Sequence, residues 1–157
     1  MEWSSVDQLD PEQHVVLPRL ELHLAAGSAN GDRVADEPQR YALGQAFRAD
    51  YVKRRGWSPH THFSMHVKGA SMEPTVPDGA SVVIDVSDRV VRSGLIYAVR
   101  IDATAEPQLK RLHKLPGGVI RVESDNRSPQ FAAFEVIADE AAGFEVIGRA
   151  VNMTSDL

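Results

Sequence analysis

Two residues of this chain are of the right types to do nucleophilic chemistry together. Ser71 stands in Lys68-Gly69-Ala70-Ser71-Met72-Glu73-Pro74-Thr75, a small-residue stretch between two apolar runs, with Asp78-Gly79 just after it. A serine on a turn between strands is open to a substrate, but its hydroxyl is a weak nucleophile until a base takes its proton. The strongest downstream base is Lys110, in the alternating run Pro107-Gln-Leu-Lys-Arg-Leu-His113. Lysine is a base only when neutral, and at a reference pKa of about 10.4 removing its proton at pH 7 costs about 4.6 kcal/mol. Burial must supply most of that. Strand alternation puts Lys110 on the same face as Leu112, with Arg111 and His113 on the other, so the amine can point into an apolar interior. Singly, each residue also has an ordinary reading, a turn serine and a surface lysine on an edge strand. Their separation of 39 positions permits a contact without requiring one.

The elements that must position the pair are mostly strands. From residue 63 onward, strand patterns cover 63–67, 81–86, 95–101, 108–113, 119–123 and 144–152, punctuated at Pro77-Asp-Gly79, Ser93-Gly94, Pro116-Gly-Gly118 and Ala142-Gly143. Upstream, residues 15–24 alternate, with Leu20, Leu22 and Leu24 on one face and Arg19, Glu21 and His23 on the other, which predicts a half-buried strand. It runs into Ala25-Ala-Gly-Ser-Ala-Asn-Gly31, which predicts an accessible loop. Residues 45–55 are the best helix candidate, with Phe47 and Tyr51 at i and i+4 and Gly56 as the stop. The fold class is therefore mainly β with one short helix. Residues 1–14 are polar and acidic and read as a tail or linker remnant, and 15–157 read as one domain.

Composition narrows the function. A chain of 157 residues with 43% hydrophobic and 25% charged residues is globular. Its net charge of −5, with no Lys/Arg cluster to offset it, argues against a phosphate-neutralising surface. The absence of cysteine removes disulfides, thiol nucleophiles and thiolate metal sites, and fits a cytoplasmic origin. No apolar run reaches the roughly 18 residues that span a bilayer, and residues 1–10 lack a signal core, so no membrane partner is expected.

Four segments in order, Val67-Lys-Gly-Ala-Ser-Met-Glu-Pro-Thr75, Leu109-Lys-Arg-Leu112, Glu123-Ser-Asp-Asn126 and Val146-Ile-Gly-Arg-Ala-Val151, resemble the motifs of the LexA/UmuD-type self-cleaving peptidases. That group includes the C-terminal regulatory domains of SOS and phage repressors. The resemblance reaches back to Ala26-Gly27, because such proteins cut their own chain at a small-residue bond after an early strand. It implies a LexA C-terminal or signal-peptidase-like β-fold, Ser71 as nucleophile, Lys110 as general base, and the Ala26–Gly27 bond as the substrate. The backbone N–H groups of Ala70 and Ser71 would form the oxyanion hole. It also implies a homodimer, with residues 144–152 as the candidate interface, and a RecA-type recombinase filament as co-protease after DNA damage. No metal or organic cofactor is implied. Ala70 departs from the Asp or Asn of many relatives, although the role there is one of backbone. Too few residues precede residue 15 for a helix-turn-helix, so DNA contact is expected only through a DNA-binding domain outside this chain.

Other readings compete. Ser-Met-x-Pro-Thr followed by a lysine also resembles type I signal peptidases, which would make this a soluble protease of that kind. A repressor dimerisation and sensing domain that keeps the motif without cutting is the non-enzymatic alternative. His60, His62 and His66 could suggest zinc, but they lack the helical i, i+4 pair and have no cysteine to assist. His66 could instead serve Ser71 as a base, against the ordinary reading of a partly solvated strand histidine. Asp125-Asn126 reads as turn hydrogen bonding that holds the core.

Overall fold

Residue type settles the first elements. Val15 and Val16 are β-branched and suit a pleated strand, β1 (His14–Pro18), whereas Leu20 to Ala26 holds leucine, alanine, glutamate and histidine with no β-branched residue. The chain accordingly turns at Arg19 into a helix, α1 (Leu20–Ser28), with the Arg19 carbonyl accepting from the N–H groups of Leu22 and His23. This corrects the expected strand over 15–24. The spacing of Leu20 and Leu24 serves a helix face as well as a strand face, and residue type decides between them. It also corrects the expected loop over 25–31. Residues 25–28 close α1, and residues 29–31 lie outside the described residues, which are 12–28, 44–103, 105–137 and 143–155 of this computed structural model.

The chain divides into two compact units, Met1–Met65 and His66–Leu157. In the first, β1 pairs antiparallel with β2 (Gly44–Arg48), Val15 opposite Phe47 and Leu17 opposite Gln45. Gly44 sits at a close approach, since a Cβ there would lie 2.4 Å from the Leu17 carbonyl oxygen. A helix, α2 (Ala49–Arg55), follows and ends on Gly56 at φ 72°, the stop that the glycine predicts. The helix expected over 45–55 is thus shorter by four residues, because 45–48 are taken as partners of β1. Phe47 and Tyr51 still stack, at 6.1 Å between centroids. Lys53, Arg54 and Arg55 gather in the last turn of α2, where the helix dipole favours cations, and Arg55 also lies over the Tyr51 and Trp57 rings. A local basic cluster therefore exists in a chain that is acidic overall. Leu17 and Leu20 are fully buried, and the His23 ring stacks on Phe63 of β3 (His62–His66) at 4.2 Å.

The second unit is an antiparallel sheet of β4 (Ser81–Asp85), β5 (Leu95–Arg100), β6 (Gln108–Leu115), β7 (Val119–Glu123), β8 (Phe134–Ile137) and β9 (Glu145–Thr154). Their spatial order is β4-β9-β5-β6-β7-β8. The mainly β expectation holds, and the glycine and proline punctuation falls between strands. Tyr97, Val99, Leu112, Ile120 and Val122 form the core over the middle of this sheet. The short β8 has no counterpart among the expected strands, because Phe134-Glu-Val-Ile is only four residues long and three of them are exposed. β9 carries two register shifts, against Val83/Ile84 on one side and Ala98/Val99 on the other. Gly148 lies between them. A Cβ there would stand 2.4 Å from the Asp85 carbonyl oxygen, so the glycine of Val-Ile-Gly-Arg is a packing requirement between β4 and β9. Among the described residues no helix is long and apolar enough to cross a membrane.

Candidate functional site

Ser71 stands on the turn between Val67 and Ala80, and local hydrogen bonds fix that turn. The Gly69 N–H donates to Asp78 Oδ1 at 2.8 Å, the Asp78 N–H to Glu73 Oε1 at 3.3 Å, and the Val76 N–H to the Met72 carbonyl at 2.8 Å. Val67 and Ala80 close its base, the Val67 N–H donating to the Ala80 carbonyl at 2.8 Å. Met72, next to Ser71, is an anchor with 1% of its surface exposed. Ser71 itself is half-buried.

Lys110 stands on β6 opposite Tyr97 of β5 and is 7% exposed. Leu112, two residues on, is fully buried, while Arg111 and His113 are half-buried, which is the alternation read from the run. Burial lowers the pKa of the Lys110 ammonium, the direction a base needs. The amine donates to Ser124 Oγ at 2.7 Å.

The segment after β7 links the two residues. Ser124 takes the Lys110 amine. Asp125 grips Arg111 with both oxygens, at 2.8 Å to Nε and 2.7 Å to Nη2, and also engages Thr75 on the Ser71 turn. Asn126 donates from its side chain to the Ala70 carbonyl at 2.9 Å and from its backbone to the Ser71 carbonyl at 3.0 Å. Three consecutive residues thus contact both the strand of Lys110 and the turn of Ser71. The hydrogen-bonding role expected of Asp125-Asn126 is present, reaching across to that turn. The Arg111 hydrogen bonds keep the Asp125 carboxyl below its ordinary range, against a smaller opposing effect of burial. Burial would raise the neighbouring Glu123, but hydrogen bonds from Arg121 and His113 outweigh it and leave that carboxyl low as well.

Ser124 and Arg111 are functional candidates that residue-by-residue reading passed over. Both stood inside quoted motifs, and an alternation rule says which face a side chain takes without saying what it meets there. Ala26 and Gly27 lie in the last turn of α1, in the other unit. His62 is buried, with its Nδ1 at 2.8 Å from Thr61 Oγ1 and its ring stacked on Trp57. His60 and His66 are exposed. Among the described residues no group of three or more His, Asp or Glu is placed to hold a metal ion.

The sequence matches the family model described as Peptidase S24-like over residues 25–151, which takes in the last turns of α1, the Ser71 turn, β6 and most of β9. It is 32% identical over 155 residues to the repressor protein CI of Enterobacteria phage phi80, an alignment covering 94% of this chain and 61% of that protein. It is also 34% identical over 128 residues to the HTH-type transcriptional regulator PrtR of Pseudomonas aeruginosa, covering 80% of this chain and 46% of that one. The chain thus spans between about half and three fifths of the curated relatives it matches. With the ordered motifs, the mainly β fold and a match over most of its length, this chain belongs to the Peptidase S24-like family.

Proposed function

We propose that the chain is the self-cleaving serine peptidase domain of a repressor, cutting its own Ala26–Gly27 bond with Ser71 and Lys110. The observation that carries this is the state of Lys110, a buried amine whose pKa is lowered and whose hydrogen-bond partner is a neutral hydroxyl. A lysine meant only for stability would be expected to meet a carboxylate. Neutral Lys110 takes the Ser71 proton as Oγ attacks the Ala26 carbonyl carbon, and the Ala70 and Ser71 N–H groups receive the oxyanion. Collapse breaks the C–N bond, Lys110 returns the proton to the Gly27 amine, and an ester remains on Ser71. Water, deprotonated by Lys110, hydrolyses that ester to give the Ala26 carboxylate and free Ser71.

The substrate bond lies in a helix, and a peptidase needs an extended backbone, so the last turn of α1 must unwind first. That latency supports a triggered reaction, with a recombinase filament of the RecA type as the partner that favours the open form. Dimerisation is proposed through β9. Its residues 145–149 are paired with β5, while Asn152 and Met153 pair with Val83 and Val82 of β4 on the other edge, so a second copy would meet the β5-side edge of the far end, where Met153 is 42% exposed.

Incubation of the purified chain at pH 9 to 10 tests the reading, since higher pH increases neutral Lys110. Fragments 1–26 and 27–157 are expected by mass spectrometry. Ser71→Ala and Lys110→Ala should each stop the reaction, a loss of at least about 10³-fold. A folded chain that stays intact would favour a binding domain that does not cut, and release of fragments from a secretory precursor in trans would favour the signal-peptidase reading.

A further inference from the structure

Ser124 is the hydrogen-bond acceptor of the Lys110 amine, at 2.7 Å, and it is 5% exposed where Lys110 is 7%. The charges around this contact are allotted in a particular way. Two carboxylates flank Ser124 in sequence, and both are occupied. Glu123 is held by Arg121 at 3.3 Å, His113 at 3.4 Å and Arg127 at 3.5 Å, and Asp125 is held by Arg111. From β5, Tyr97 stands opposite Lys110, but its hydroxyl donates to the Val90 carbonyl and accepts from the Arg92 N–H, each at 2.9 Å. On the Ser71 turn, Glu73 accepts from the Asp78 N–H. The amine is left facing a neutral oxygen between two acids that are neutralised by others.

We propose that Ser124 is the positioning residue of Lys110, fixing the amine by a neutral acceptor that steadies it without locking it as an ammonium. A carboxylate at this position would stabilise the charged form by an ion pair in a dry site and remove the base. A methyl group would leave the amine free to swing and the ammonium with one acceptor fewer. A hydroxyl does neither. With one N–H committed to Ser124, rotation about the terminal C–N bond is restricted, and the lone pair of the neutral amine keeps one direction. The arginines and His113 around Glu123 and Asp125 complete the arrangement, since they keep those acids from competing for Lys110.

This assignment rests on the self-cleavage reading for its purpose but not for its test. In the full chain carrying Ser71→Ala, which cannot cut, the Lys110 amine is titrated by NMR with and without Ser124→Ala. Loss of the acceptor disfavours the ammonium, so the midpoint should fall by about one pH unit, and Ser124→Thr should restore it. Ser124→Asp should move it upward. In the Ser71 chain the cleavage rate at its alkaline plateau should fall at least about tenfold in Ser124→Ala and recover in Ser124→Thr. An unmoved Lys110 midpoint in a folded Ser124→Ala chain overturns the assignment, as does an unchanged plateau rate. If the Ser71 chain itself never cuts, the function reading is lost, and the titration alone decides whether Ser124 governs Lys110.

Discussion

The turn that carries Ser71 and the helix that carries Ala26–Gly27 differ in how they are held. The turn is tied at Gly69, Glu73, Val76, Asp78 and Val67, is anchored by buried Met72, and is clasped from outside by Asn126. The helix has nine residues, is pinned at its start by buried Leu20, and becomes exposed by Ala25. Helices of that length are marginal by themselves in water, so α1 depends on the packing of its first turn. The turn that carries the proposed nucleophile is firmly held, while the proposed substrate bond lies in a helix that would have to open. On that view the rate is set by the helix and the chemistry by the turn, and the two can be perturbed separately.

The largest separate effect is expected on the firmly held side. Arg111→Ala would leave the Asp125 carboxylate, 11% exposed, without its two-pronged partner. Arg111 itself is 27% exposed, so the cost should lie near the low end for a broken buried pair, about 3 kcal/mol in urea denaturation at pH 7. The pH dependence follows from the lowered Asp125 pKa. A carboxyl that ionises more readily when folded stabilises above its unfolded pKa of about 3.9, and that contribution disappears as pH falls through the lower folded value. The gap between parent and variant should therefore be full at pH 7 and narrow below about pH 4. A gap that persists undiminished at pH 2 would show that the pair acts by packing alone.

Asn126→Ala is a smaller and more selective change. It removes the side-chain bond to the Ala70 carbonyl and the exposed bond that Asn126 Oδ1 accepts from the Ser128 N–H, but keeps the backbone bond to Ser71, so stability should drop by only about 1 kcal/mol. Cleavage should suffer more, about tenfold, because the turn that aims Ser71 and the oxyanion N–H groups loses its clasp. Equal losses in stability and rate would mean that Asn126 supports the fold without aiming the turn.

How much of this was legible beforehand depended on whether a residue's neighbours in sequence were its neighbours in space. The strand pattern after residue 63 was readable because alternation and glycine punctuation are local, and the inward face of Lys110 followed from the same rule. The strand of residues 45–48 was hidden because what makes it a strand is β1, some thirty positions earlier. α1 is hidden for a different reason. Leu20, Leu22 and Leu24 satisfy a period of two, while Leu20 and Leu24 equally satisfy a period of nearly four, and only the absence of β-branched residues separates the two. The Ser124 contact lay 14 positions from Lys110, and no periodicity connects a strand to the first residue beyond its neighbour.

The substrate side gives the smallest effect and the sharpest separation from the site. Ala25 is exposed one residue before the proposed bond, and glycine there lowers helix stability by about 1 kcal/mol without touching Ser71 or Lys110. If opening of α1 precedes cleavage, Ala25→Gly should raise the rate up to about fivefold, the factor that 1 kcal/mol corresponds to. The same change in the Ser71→Ala chain should speed amide exchange over residues 25–28 by a similar factor, a readout that needs no chemistry. Faster exchange with an unchanged cleavage rate would place the barrier at the Ser71 turn. Unchanged exchange would mean that the last turn of α1 is already open for most of the time, and the contrast between a firmly held turn and a helix that has to open would then vanish.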